Sequence, residues 1–314
     1  MKKVLLIAAA AMLLLSMTSC NKHKDGVFNP KQKISAVYHA YRSQSSWYNS
    51  DNYTWEDNDP YITPRHKSEE WVWDGKQLQQ IRHLNEDGTI RGTETFTYDG
   101  KKLVRAEYKD NEGEGYYTTY EYDGKELVSA KHYDYDADGL LCGSYEFTHT
   151  DKKITDITMT EYDYDKSVTD IARRQLSSLR SILPMGQIGE KVIANCEARL
   201  KTKSASTYIT RITLTWTGNN ITRITYKLYD GDIDTDDFTY DNKKNPYYGF
   251  LDSEVITPFY SSENNVLTDD PSDPPYVYEY DKNDYPTSCV YTYSSRSDTY
   301  RYTSTSTDEY EYLK

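Results

Sequence analysis

The stretch FTYDGKKLVRA, residues 96–106, carries the fold in small compass. Phe96 and Tyr98 are two apart, so on a strand both rings lie on one face. Asp99-Gly100 follows, and an Asp-Gly pair between apolar runs is a strong hairpin signal because Gly accepts a positive φ. Lys101 to Tyr108 then reads as the returning strand. The same unit recurs as WVWDGKQLQQI (71–81), YEYDGKELVSA (120–130), FTHTDKKITDI (147–157), LTWTGNNITRI (214–224) and FTYDNKKNPYY (238–248), with a degenerate copy, YEYDKNDYPTS, at 278–288. The third residue of successive copies falls at Trp73, Tyr98, Tyr122 and His149, in steps of 25, 24 and 27 residues. Trp216 and Tyr240 repeat the step at 24. Recurrence at such a period marks a repeat architecture, here two strands and two turns per unit.

The segments between the copies fit the same scheme. Turn-forming clusters occur at Asn85 to Gly88, Asp110 to Gly115, Asp134 to Gly139 and Asp230-Gly231. Val37 to Tyr41 reads as a first strand, and Tyr48 to Arg65 as a polar, aromatic, irregular stretch suited to a functional loop. Two interruptions stand out. From Ser167 to Leu183, Ile171, Leu176, Leu179 and Ile182 share one helical stripe, Ser167 and Asp170 form a capping pair, and Pro184 stops the pattern. From Ser261 to Pro275, acidic residues and prolines without any period predict an exposed loop. The expectation is an all-β, mainly antiparallel protein: a curved, repeat-built meander or open barrel with one inserted amphipathic helix, spanning residues 33–314.

The N-terminus reads as an address. Lys2 and Lys3 precede an apolar run, Val4 to Leu15, that is shorter than the about 20 residues a membrane-crossing helix needs. Thr18-Ser19-Cys20 then resembles a lipobox, with Met17 where that motif has Leu. The resemblance implies removal of residues 1–20, acylation of Cys20 and membrane attachment through that lipid, with 21–32 as a tether. Asn21, rather than Asp, after the cysteine implies the outer membrane. The basic run Lys22-His23-Lys24 gives no local support for display on the cell surface.

Composition narrows the classes further. The chain carries 33 Tyr against 6 Phe and 5 Trp, and tyrosine suits sheet positions that are half in and half out of water. A net charge of −13 repels phosphate backbones, which argues against nucleic acid as a partner. Cys142, Cys196 and Cys289 make no C-x-x-C pair, so no zinc or redox motif exists; the envelope permits one disulfide or none.

Motifs for chemistry are sparse. Asp134, Asp136 and Asp138 with Gly139 match the first half of a calcium-binding loop, but position twelve is Tyr145 rather than Glu, and the repeat needs a turn there in any case. Calcium is the one cofactor the sequence suggests. Asp232, Asp234 and Asp236 form a second acidic comb of the same kind. No nucleophile elbow, no H-E-x-x-H and no phosphate loop occurs, and the carboxylate pairs Glu69-Glu70, Glu56-Asp57 and Asp236-Asp237 are strand neighbours that face opposite ways. The chain is therefore read as non-catalytic, with no catalytic residues assigned. Aromatic side chains on a rigid sheet make platforms for sugar rings or extended peptides. The candidates are Trp47, Tyr48, Tyr53, Trp55 and Tyr61, then Trp71 and Trp73, and then Tyr247, Tyr248 and Phe250.

The Tyr-Asp-Gly units resemble YD (RHS-type) repeats, whose strands build broad curved antiparallel sheets. Residues 33–295 are also similar to a group of Bacteroidetes envelope lipoproteins. The likeness is carried by YDGKKL, LTWTGNNITRI, YDNKKNPYYGF with the later SSENNV, and YEYDKNDYPTS, in that order. It implies no catalytic residues. The function expected is binding of an extracellular glycan or protein through the Tyr- and Trp-rich sheet. A structural partner in an envelope complex is the first alternative and a carboxylate-based glycoside hydrolase the second.

Overall fold

The structure, a computed structural model, describes residues 28–50, 53–134, 140–162, 207–251, 257–269 and 274–314. Cys20, the predicted helix over 167–183, Cys196, Asp136 and Asp138 lie outside the described residues.

The repeats form antiparallel strands in chain order. They are β1 (Ile34–Asn49), β2 (Thr54–Asp57), β3 (Tyr61–Asp74), β4 (Gln77–Leu84), β5 (Ile90–Asp99), β6 (Lys102–Asp110), β7 (Gly115–Asp123), β8 (Glu126–Asp134), β9 (Leu140–Thr150) and β10 (Lys153–Glu161). Next come β11 (Tyr208–Thr217), β12 (Asn220–Lys227), β13 (Ile233–Asp237), β14 (Thr239–Tyr240), a one-turn helix α1 (Pro258–Ser261) and β15 (Val266–Thr268). The chain ends with β16 (Val277–Tyr280), β17 (Pro286–Arg296) and β18 (Tyr300–Tyr312). One 16-stranded sheet runs from β13 back to β3, then β1, β18, β17 and β16, with β2 paired to β1. The meander expected from the repeats is what forms, and the sheet is open.

Each hairpin repeats a local irregularity that explains its sequence. Leu78 and Ile81, Leu103 and Ala106, Leu127 and Ala130, Ile154 and Ile157, and Ile221 and Ile224 are three apart, yet every one is buried. On a regular strand a spacing of three would send the second residue to the opposite face. The register shifts by one residue within each pair: Thr97 pairs Arg105 while Tyr98 pairs Leu103, leaving Val104 over. Corresponding shifts leave Gln79, Val128, Thr155 and Thr222 over. These are β-bulges, which reset the alternation and increase local twist.

The turns differ slightly from expectation. Asp99 pairs Lys102, so the central turn residues are Gly100 and Lys101 rather than Asp99 and Gly100. Gly100 has φ +61°, which only Gly adopts without cost.

In five of the seven units the third-position aromatic donates to a backbone carbonyl of an earlier strand. Tyr98 Oη donates to the Leu78 carbonyl at 2.9 Å, Tyr122 Oη to Leu103 at 2.8 Å, and Trp216 Nε1 to Ile154 at 2.7 Å. Trp73 Nε1 donates to Ile34 at 2.8 Å, and Tyr240 Oη donates to Ile221. A ring with a polar tip is needed there, and Phe is absent from the position.

The ends of the sheet do not pair with each other. The segment 238–269 bridges them instead. The Phe238 N–H donates to Thr222 of β12, β14 pairs β15, and the Tyr276 N–H, next to β16, donates to Leu267 of β15. Side chains reinforce both joints: Ser262 Oγ accepts the Ile221 N–H, and Tyr278 Oη donates to the Val266 carbonyl. Between these joints Phe250 packs on Trp71, Phe96 and Phe28, so the sheet bends around this segment as a plug.

Three expectations are corrected here. The sequence predicts an exposed loop over 261–275, but Ser261, Ser262, Asn265, Val266 and Asp269 are buried in the plug. Part of their polar surface is paired inside the plug: Asn245 Nδ2 donates to the Ser262 carbonyl, and Asn265 Nδ2 donates to Asp241 Oδ2. The tether does not reach residue 32, because Phe28 docks against Trp71, Trp73 and Phe250. The stretch 48–65 is not an irregular loop; it holds the end of β1, all of β2 and the start of β3. Cys289 is a buried free thiol.

Candidate functional site

The inner face of the sheet, the one the plug covers, carries a cavity of about 370 Å³ between β3–β7 and the plug. Its sheet wall is polar: Glu69, His83, Arg91 and Glu94 line it together with the rings of Tyr108 and Tyr116. Its plug wall is aromatic, made by Tyr247, Phe250 and Tyr260. Strand pairing sets this arrangement. Glu69 of β3 sits opposite His83 of β4, which sits opposite Gly92 of β5. A Cβ at Gly92 would collide with the Tyr108 ring, so Gly lets that ring lie flat across β5. His83, Tyr108, Tyr116 and His132 then form a row of rings with centroids 5.3–5.8 Å apart. Thr118 Oγ1 is 3.0 Å from His132 Nδ1 at the buried end.

The titrating groups are tuned by burial. Desolvation holds the Glu69 carboxyl above its ordinary range, partly offset by the Trp71 indole N–H, which donates to Glu69 Oε2 at 2.8 Å. His83 is pushed down to about 4 by burial and by the Arg91 charge. Glu69 lies 3.9 Å from His83, too far to hydrogen-bond, and does not offset the burial. At neutral pH His83 is therefore uncharged, and Arg91 is the cation lining the cavity.

Beyond the plug the same face continues onto a shelf. Val37, His39, Tyr41, Ser43, Ser45 and Trp47 alternate along one side of β1, and Val37 is buried. Their partners on β18 are Tyr310, Asp308, Ser306, Ser304, Tyr302 and Tyr300. Trp47 and Tyr300 are each 43% exposed and Tyr61 is 62% exposed. Tyr300 and Tyr302 stack, Tyr302 approaches Tyr293, and Tyr41 approaches Tyr61. The Tyr41 and Tyr302 hydroxyls lie 2.6 Å apart and tie the two clusters together. His39 and Asp308, 2.7 Å apart, stand between shelf and cavity.

The residues singled out from sequence divide among five places. Trp47 and Tyr61 are on the shelf. Tyr48 and Trp55 pair on the opposite face, where Arg301 covers the Trp55 ring at 3.7 Å. Tyr53 is 80% exposed, just before β2. Trp71, Tyr247 and Phe250 line the cavity, whereas Tyr248 is buried and Trp73 packs against the core. Of the weak calcium set only Asp134 is described, at the end of β8. Asp236 of the second comb is buried, while Asp232 is exposed, so the comb does not project together. No group of three or more metal-ligating side chains occurs among the described residues. Glu69, His83, Arg91 and Glu94 escaped the sequence reading as a set. Their convergence depends on strand register and on a plug from 150 residues further on, and only Gly92, out of place in a strand, hints at it.

No family model matches the sequence. No curated protein matches it either. Among solved structures, a porin-like protein from Bacteroides uniformis ATCC 8492 aligns with 14% identity and a TM-score of 0.40, over 89% of this chain and 98% of that one. A porin-like protein from Bacteroides vulgatus ATCC 8482 aligns with 9% identity and a TM-score of 0.27, over 90% of this chain and 99% of that one. At these scores neither likeness carries a role over to this chain.

Proposed function

We propose that the chain is a non-catalytic lipoprotein of the bacterial outer membrane, anchored through Cys20, that binds an extracellular glycan on its aromatic shelf. The resemblance to envelope lipoproteins with YD-like repeats supports the address. The observation that carries the binding role is the shelf itself. Trp47, Tyr61 and Tyr300 stay exposed on one rigid face, interleaved with Ser43, Ser45 and Ser304. Flat rings with adjacent hydroxyls suit sugar rings, which offer apolar faces and polar rims. From Tyr41 to Trp47 the shelf advances six residues along β1, about 20 Å at roughly 3.3 Å per residue, long enough for a few sugar units. A glycan array probed with the full chain tests this. Trp47→Ala and Tyr300→Ala should each weaken a hit by about tenfold, equivalent to about 1.4 kcal/mol. An array without hits, or variants that bind like the parent, would refute the reading. Radiolabelled palmitate incorporated in the parent and absent from Cys20→Ser tests the anchor.

A further inference from the structure

We propose that the cavity beneath the plug is a separate binding site for a single hydroxylated ring, a neutral or amino-substituted monosaccharide unit. This rests on the shelf reading, since the ring would be the end of a glycan lying along the same face.

The two walls of the cavity are of different kinds, and a sugar ring needs both. Tyr247, Phe250 and Tyr260 supply aromatic surface, and Glu69, Arg91 and Glu94 supply hydrogen-bonding groups. A volume of about 370 Å³ is at the low end of the roughly 300–1,000 Å³ usual for small-molecule pockets, which suits one or two sugar units rather than an oligomer. The polar side chains project from paired strands rather than loops. Glu69 is further fixed by the Trp71 N–H at 2.8 Å, so the groups are held before a ligand arrives.

Charge selects among sugars. Two carboxyl groups and one guanidinium line the site, and a carboxylated ring would bring a further acid next to Glu94, which is itself only 6% exposed. A hydroxyl or an ammonium group finds acceptors there instead. Cavity and shelf lie on one face: Glu69 sits opposite Val37 of β1, and the next two inward-facing positions on β1 are His39 and Tyr41.

The test is calorimetric titration of the full chain with glucose, glucosamine and glucuronic acid, with tryptophan emission from Trp71 as a second readout. Glucose or glucosamine should bind, and glucuronic acid should bind at least tenfold more weakly. Glu94→Gln should weaken the better ligand at least tenfold with unchanged circular dichroism. Should that variant not fold, Glu69→Gln, which is half-buried and keeps an acceptor for the Trp71 N–H, should weaken it several-fold. Trp47→Ala and Tyr300→Ala should leave monosaccharide affinity unchanged while weakening polysaccharide binding. A folded chain that binds none of the three sugars, one that prefers glucuronic acid, or carboxamide variants that bind like the parent would overturn the proposal. Polysaccharide binding without monosaccharide binding sinks the cavity alone. Monosaccharide binding that coexists with failure of the shelf variants to affect polysaccharide sinks the shelf alone.

Discussion

At the scale of single residues, the abundance of tyrosine becomes a bonding rule. Tyr98 and Tyr122 place their rings against the core and their hydroxyls on a carbonyl of the preceding hairpin. Tyr98→Phe keeps the ring and removes the bond, so it should cost about 1 kcal/mol in urea denaturation. Tyr122→Phe should cost the same, and the two should add only in part because the bonds lie in adjacent hairpins. A change below a few tenths of a kcal/mol would show that the hydroxyl is idle. His83 gives a pH prediction. Its folded-state value of about 4 lies below the ordinary 6.5, so the native state prefers the neutral ring. The stability this contributes is present above pH 6.5 and lost as pH falls towards 4, by an amount on the order of 3 kcal/mol at most. His39 runs the other way. Its hydrogen bond to Asp308 raises it against the opposing effect of burial, so its contribution is full below about 6.5 and fades as pH rises through the raised value. Urea midpoints of the parent and His83→Phe, compared from pH 4 to 7, isolate the first effect: the variant's profile should be flatter at the acid end.

At the scale of elements, each of five returning strands carries two aliphatic residues three apart, as in Leu103 and Ala106 or Ile221 and Ile224, and the spacing was visible in the repeat sequences. Its meaning was not, because period-two reasoning has no place for an odd spacing without a bulge. Val104 is the extra residue in one such pair and Thr222 in another; nothing about Val or Thr alone announces that role. The turns were legible from their Gly residues, although the pairing of Asp99 with Lys102 moves the central pair one place along. Some hairpins turn without Gly, β9–β10 among them. Asp151 and Lys152 have φ of +52° and +67° with no Gly between β9 and β10. Two consecutive positive angles are those of the turn that favours Asn-Gly, and an L side chain costs about 1–2 kcal/mol per left-handed residue. Asp151→Asn with Lys152→Gly should therefore raise stability by about 1 kcal/mol, read as a higher urea midpoint with unchanged slope. A lower midpoint would mean that the side chains being replaced make contacts worth more than the strain.

At the scale of the whole molecule, the sheet is long enough to curl but its ends never pair, and Asp241 shows how the gap is held. Its carboxylate accepts the Lys243 N–H at 2.9 Å, the Asn265 N–H at 3.1 Å and the Asn265 side-chain amide at 2.9 Å, and it also takes the Tyr280 hydroxyl from β16. One side chain thus joins β14, β15 and the far end of the sheet. None of this was legible, because Asp241 and Tyr280 are 39 residues apart and the acidic, proline-rich run between them has the composition of a solvated loop. Polar residues here do the work of a core by satisfying one another rather than water. Asp241→Ala would leave the Asn265 and Tyr280 donors to compete for water in a half-buried site, a loss of about 3 kcal/mol at one to three per stranded group, discounted for partial exposure. The loss should be local. Hydrogen exchange should quicken together in β14, β15 and β16, while β5–β8, each paired on both sides, exchange as in the parent. The cavity should loosen with the plug that forms one wall of it, whereas shelf residues on β1 and β18, held by their own long ladders, should keep their affinity for polysaccharide. Uniform quickening across the sheet would mean that plug and sheet are one cooperative unit, and that the open gap is no weaker than the strands around it.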